Sequence, residues 1–281
     1  MNIDFHTHPV LLKEYVENNT DLLKASRHVF NIGNNLQPIQ TFYLQMDAAD
    51  IDAAVIFPID SERTQGVKIF TNEQIANLCA DYHRFIGFAS VDPNNPGADA
   101  ELEYAVTKLG LKGLKLAPEL QYFYPNDHKL VYPLYEKAQE LGIPIVVHSG
   151  FSWEPQARVK YSHPLFLEDV ALDFTRLKIV IAHFGWPWVQ ETAMLAIKHR
   201  NIYIDTSCLY FDNPVKFFKF IFSNYLPVSV VENDLREKLL FGSNYPRIEI
   251  RKMAVAIRSL GLSDQCLRHI FGLNAQRILS L

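Results

Sequence analysis

Cysteine is scarce in this chain of 281 residues: Cys79, Cys208 and Cys266 stand far apart, with no CxxC pair among them. That spacing fits separate reduced thiols better than a disulfide framework or a cysteine zinc site. Cys208, just past a strand end, is the one thiol near candidate chemistry. No apolar run approaches the roughly 18 residues of a membrane span. The chain also enters a strand-like stretch within a few residues of Met1, in place of a signal peptide. A soluble, cytoplasmic protein is expected. Positive charge is not in excess, since 27 lysines and arginines face 31 aspartates and glutamates for a net −4. Without a basic patch, nucleic acid and membranes are poor partners and a small molecule is the better one. What the chain has in quantity is apolar side chains, 48% of all residues, enough for a large core in one domain spanning 1–281.

Apolar runs bounded by turn residues predict eight strands, at 2–8, 53–58, 85–91, 113–117, 143–148, 178–184, 201–206 and 239–244. Helical patterns lie between them: 71–82 behind a capping box at Thr71 and Gln74, 98–109, 129–141, 164–175 opened by Pro164, and 187–199 opened by Pro187. Strand alternates with helix throughout. Eight such units predict an α/β fold, a TIM (β/α)8 barrel with its chemistry at the C-terminal ends of the strands. Two loops stand out at that face. The polar, asparagine-rich stretch from 9 to about 42 is a candidate lid. Residues 150–163, with Trp153, Glu154, Arg158 and His163, are a candidate substrate wall.

Histidine supplies the strongest functional signal. His6 and His8 are two apart on the first strand, so with Asp4 they are expected to share one face, opposite Phe5 and Thr7. His148 and His183 each end a later apolar run. A single histidine is more often structural, but chance would rarely end strands one, five and six this way. Four imidazoles from three strand ends suit one divalent ion, zinc as first choice and manganese as second, with a position left for water.

These motifs resemble the amidohydrolase superfamily, in the branch of single-metal barrels that includes aminocarboxymuconate semialdehyde decarboxylase and related predicted hydrolases. The resemblance rests on Asp4-Phe5-His6-Thr7-His8, Gly113-Leu114-Lys115-Leu116, Val147-His148-Ser149-Gly150, Pro164 to Val170, Ala182-His183-Phe184-Gly185-Trp186-Pro187-Trp188, Phe241-Gly242-Ser243-Asn244-Tyr245-Pro246 and Asn274-Ala275-Gln276-Arg277. It implies a metal held by His6, His8 and His148, with His183 binding the ion or holding substrate or water. It also implies an aspartate after strand eight, where this chain has Asn244. An amide cannot act as the base, work that a placed carboxylate typically accelerates by about 10² to 10⁴. His163, Glu154 and Asp205 are the candidate substitutes, although a brace or cap is the ordinary role for each. Where many relatives carry a histidine, this chain has Ala117.

Lys115, inside a buried strand, is expected to face the barrel interior and bond Asp4 or Asp205. A carbamylated Lys115 bridging two metals is the lesser reading. Arg247 and Arg158 are candidate clamps for a substrate carboxylate, so the substrate is expected to be a small anion. Trp186 and Trp188 are expected to pack at the barrel mouth. Phe217, Phe218, Phe220 and Phe222 are read as one apolar helix face that, if uncovered, fits a homodimer. The reaction expected is hydrolysis of a small amide, lactone or ester by water on the ion. The alternatives are non-oxidative decarboxylation of an unsaturated or aromatic acid, or a degenerate barrel that binds without turnover because of Asn244.

Overall fold

Each predicted strand is found, shorter than its apolar run because the ends turn into loops. The computed structural model describes residues 1–207 and 213–281; Cys208 lies outside the described residues. The strands are β1 (Ile3–Thr7), β2 (Ala53–Ile56), β3 (Phe85–Gly87), β4 (Leu114–Leu116), β5 (Ile145–Val147), β6 (Ile179–Ile181), β7 (Ile202–Asp205) and β8 (Leu239–Leu240). All neighbouring pairs are parallel, β1 to β3 in one ladder and β4 to β8 in another. Two seams join them. Lys115 N donates to Ala89 O at 2.7 Å, and Ala89 N to Gly113 O at 2.8 Å. On the other side Phe5 N donates to Phe241 O at 2.7 Å and His8 N to Tyr245 O at 2.8 Å. The ring closes into a TIM barrel, with every strand paired on both sides among the described residues.

Side chains alternate between two apolar layers. Leu114, Leu116, Ile145, Val147, Ile179, Ile181, Ile202 and Ile204 pack outward against the surrounding helices. Ile3, Phe5, Val55, Phe57, Phe88, Val146, Val180 and Leu240 fill the interior. Lys115 lies between two outward residues and therefore points inward. β1 departs from the expected alternation. Its register against β2 shifts between Asp4 and Thr7, a bulge that lets Phe5 join the interior while His6 still reaches the barrel mouth.

The helices follow their sequence signals. Thr71 accepts from Gln74 N at 3.2 Å while the Gln74 side chain accepts from Thr71 N at 2.8 Å, opening Asn72–Asp81. Helices Phe166–Asp173 and Val189–Lys198 begin two residues beyond Pro164 and Pro187. In Pro214–Asn224, Phe217, Phe218 and Phe222 are buried, whereas Phe220 faces outward. The stretch after β1 is not the long loop its asparagines suggest. It folds into short helices, Thr20–Lys24 capped by Asn19, then a π turn at Ala25–Val29, because Val10, Leu11, Val16, Leu22 and Phe30 bury among the barrel loops. Among the described residues no helix is long and apolar enough to cross a membrane.

Gly150 fixes the loop after β5. It has φ +99°, and a Cβ there would lie 2.2 Å from the Trp186 carbonyl oxygen. That same oxygen accepts from Phe151 N at 2.9 Å, tying the β5 and β6 loops together. Gly150→Ala should cost about 1–3 kcal/mol through backbone strain and the clash. Thermal unfolding checks this, and an unchanged midpoint would refute the close approach.

Candidate metal centre

The bulge in β1 begins the site. Asp4 Oδ1 accepts from His6 N at 3.2 Å and from Ser243 N at 2.9 Å, so Asp4 pins the end of β1 to the loop after β8. His6 and His8 then stand with their Nε2 atoms 3.3 Å apart. Each imidazole is anchored through Nδ1. His6 Nδ1 lies 2.8 Å from Asp205 Oδ2 and His8 Nδ1 lies 3.0 Å from the Phe57 carbonyl. His148 Nδ1 is 3.4 Å from Glu119 Oε1. His183 Nδ1 faces the Ser207 carbonyl and lies 3.1 Å from the Ser207 hydroxyl.

Proton donation from Nδ1 to a carboxylate or carbonyl fixes the tautomer and leaves a lone pair on Nε2. For His6 and His8 these lone pairs face each other. Their separation is about that of two ligands on a tetrahedral ion 2.0–2.1 Å from each. His148 Nε2 is buried without a hydrogen-bond partner. Two facing lone pairs and one orphaned imidazole nitrogen in a water-poor site are costly unless something electron-poor binds them, so these residues fit a divalent ion. All four histidines are buried, and burial holds each in its neutral, ligand form: His6, His8 and His148 titrate far below the usual range and His183 is lowered to about 3.

Among the described residues, the set of three whose donor atoms all lie within 4.8 Å of one another is His6, His183 and Asp205; His8 and His148 stand outside that set. There the Ser207 hydroxyl already bonds the Nδ1 atoms of both histidines and donates to Asp205 Oδ1. Asp205 also accepts from His183 N at 2.9 Å and Ser207 N at 3.0 Å. That side is satisfied by the protein. The Nε2 side is the better place for an ion, and Asp205 is the orienting carboxylate behind it. Alternation alone does not aim His183: its backbone turns left-handed, at φ +59°, immediately after β6.

His8, His148 and His183 line a small cavity with Lys115, Glu119, Glu154, Asn244, Arg247, Phe30, Ile59 and Ser152. The cavity is narrow, about 20 Å³. Asn244 and Arg247 are also walls of an outer pocket of about 280 Å³, formed with Asn31, Ile32, Gly33, Asn34, Trp153, Pro246 and Ile248. Asn244 is left-handed at φ +62°, a conformation asparagine tolerates. Its N–H donates to His6 O at 2.9 Å, and its side-chain amide has no hydrogen-bond partner among the described residues.

Four expectations change here. Lys115 points inward but bonds neither Asp4 nor Asp205. Its Nζ has no hydrogen-bond partner and lies 5.2 Å from the centre of the Phe57 ring, because Asp4 and Asp205 are occupied with Ser243, His6, His183 and Ser207. Arg158 is exposed over the Tyr122 ring, outside the cavity. Arg247 reaches the cavity but is engaged, donating to Glu154 Oε1 at 2.5 Å and to the Phe30 carbonyl. His163 packs on Trp188, with ring centres 4.4 Å apart, and does not line the cavity.

Sequence reasoning missed Glu119. It follows β4 at the active face, is buried, and presents Oε2 without a hydrogen-bond partner. Burial, with Glu154 nearby, pushes its carboxyl up to about 8, while Lys115 opposes this. Burial lowers Lys115 to about 8 against the pull of Asp205, Glu119 and Glu154. The available signal was the dipeptide Pro118-Glu119 directly after the β4 end.

The amidohydrolase family profile matches residues 3–281, and the chain belongs to that family. It is 26% identical over 183 residues to the 2-keto-4-carboxy-3-hexenedioate hydratase of Sphingobium, covering 54% of this chain, and it spans about half the length of that relative. An uncharacterised TIM-barrel protein from Bordetella bronchiseptica superposes with a TM-score of 0.77 at 20% identity, over 99% of this chain and 98% of the other. A probable 2-pyrone-4,6-dicarboxylic acid hydrolase from Acinetobacter baumannii gives 0.66 at 16%, over 100% and 99%. A 5-carboxyvanillate decarboxylase from Novosphingobium aromaticivorans, with bound manganese, gives 0.66 at 15%, over 100% and 97%. At these identities the structural likeness establishes the barrel.

His6→Ala should abolish near-stoichiometric metal after purification without added metal, and His148→Ala should weaken it by at least about tenfold. Elemental analysis reads both. Metal retained in His6→Ala would refute the ligand set.

Proposed function

We propose that this protein is a metal-dependent hydrolase of a small anionic carbonyl compound, a lactone, ester or amide. The supporting observation is the facing Nε2 pair of His6 and His8, with the unpartnered Nε2 of His148 and one unpartnered carboxyl oxygen of Glu119 on residues of the adjoining cavity, each imidazole having its Nδ1 beside an acceptor. His6, His8 and His148 would hold one divalent ion, zinc first and manganese second, with His183 beside them. When bound, the ion supplies Lewis-acid polarisation of a carbonyl oxygen and of water.

The chain's own residues do the rest. With Asn244 unable to accept a proton, Glu119 is the cavity carboxyl with an oxygen left over; in its ionised form, favoured above about pH 8, it takes the proton from the attacking water and returns it to the leaving oxygen or nitrogen. Asn244 offers an amide across the same cavity to orient water or substrate. Glu154 keeps Arg247 at the rim, where the arginine holds Phe30 over His8, with ring centres 4.8 Å apart, and narrows the entrance. Non-oxidative decarboxylation of an unsaturated or aromatic acid is the second reading. It is favoured by a buried cation, Lys115, facing the cavity, and it needs Glu119 to deliver a proton to carbon. Release of carbon dioxide from candidate acids, against acid release from lactones and esters, separates the two.

Glu119→Gln should lower kcat by about 10² to 10⁴ with metal content retained. An unchanged kcat would remove Glu119 from the reaction. Asn244→Asp, which the left-handed backbone accommodates, should leave activity equal or lower. Activity that arises only in that variant would instead identify a barrel whose catalysis was lost through the amide.

A further inference from the structure

Lys115 is a charged cavity group that neither the ion nor the proton transfer uses. It is 1% exposed, its Nζ makes no hydrogen bond among the described residues, and it lies 5.2 Å from the centre of the Phe57 ring. A buried ammonium without a hydrogen-bond partner is costly, and an apolar side chain of similar length would be neutral or better for folding. Arg247 is different. It donates to Glu154 and to the Phe30 carbonyl and packs over the Phe30 ring, so its charge is matched by the protein. Asp205, Glu119 and Glu154 stand close enough to act on Lys115 through space, yet none bonds it.

The place Lys115 faces also matters. It shares the inner cavity with His148, Glu119 and Asn244, where the free space is about 20 Å³. A group received there is within a bond or two of the reacting carbon, since anything larger must extend into the outer pocket past Asn244 and Trp153. Resting on the hydrolase reading for the reaction itself, we infer that Lys115 is a substrate-binding residue whose ammonium receives a carboxylate attached next to the reacting carbonyl. The substrate is then an oxo acid, or a lactone, ester or amide bearing a carboxylate beside the carbonyl carbon. The remainder of the molecule occupies the outer pocket between Asn31, Gly33 and Pro246.

The experiment is calorimetric titration of the metal-loaded protein with pyruvate and with pyruvamide, which have the same shape and differ in charge. A charge-assisted hydrogen bond predicts that the wild type binds pyruvate about tenfold or more tighter than pyruvamide. In Lys115→Met the ratio should fall to within about twofold, with metal content unchanged by elemental analysis and thermal stability equal or higher. Lys115→Gln gives the same reading if the methionine variant does not fold. A wild type that binds both probes equally, or a preference that survives in the uncharged variants, overturns the inference. The readout is binding, so a catalytically inert protein with a Lys115-dependent preference would sink only the hydrolase reading.

Discussion

The site depends on the bond between His6 and Asp205. These two groups are 199 residues apart in the chain and fully buried. Burying an imidazole and a carboxylate is unfavourable unless each finds a partner, and here one contact serves both. Asp205 then organises its surroundings, because its other oxygen collects the backbone N–H groups of His183 and Ser207 and the Ser207 hydroxyl. The ends of β1, β6 and β7 are thereby locked together. Asp4 does the same for β1 and the loop after β8 through Ser243. The closed barrel and the histidine cluster are in this sense one construction, since the bonds that close the ring at its mouth also aim the ligands.

With the protein satisfying the Nδ1 side, three unsatisfied atoms remain on residues of the adjoining cavity. His148 Nε2, Glu119 Oε2 and Lys115 Nζ are buried without partners and belong to residues lining one small space. A folded protein rarely leaves three such atoms together without use for them. They are chemically distinct: an electron-pair donor, a carboxyl oxygen and a positive charge. The surrounding apolar layer of Phe5, Phe57, Phe88 and Val146 limits access of water from below, which strengthens every charge interaction above it.

Much of this was legible from residue order. Strand periodicity, the count of eight and the capping box at Thr71 all reflect local sterics and local hydrogen bonding, which short sequence windows carry. The histidines at 6, 8, 148 and 183 were legible too, because a polar residue closing an apolar run is itself a local anomaly. Glu119 and Ser207 were not, since a glutamate after a proline and a serine after a threonine look like any loop. The bulge in β1 was also hidden: it is a mismatch between two strands, β1 and β2, and does not belong to either alone. Lys115 was half legible, its inward direction from alternation and its lack of a bond only from where Asp4 and Asp205 spend theirs.

The sequence by itself determined the alternation of strands and helices, the barrel class, and which residue types stand at the strand ends. Those follow from hydrophobic periodicity and from side chains acting within a few residues of one another. Only the tertiary structure decided which nitrogen of each histidine is free, that the carboxylate behind His6 is Asp205, and that the inward carboxyl is Glu119 and not the one the chain lacks at Asn244. The physical reason is that hydrogen bonds in a buried site are allotted jointly. A group's role is whatever remains after its neighbours, drawn from seven other strands and their loops, have taken their share.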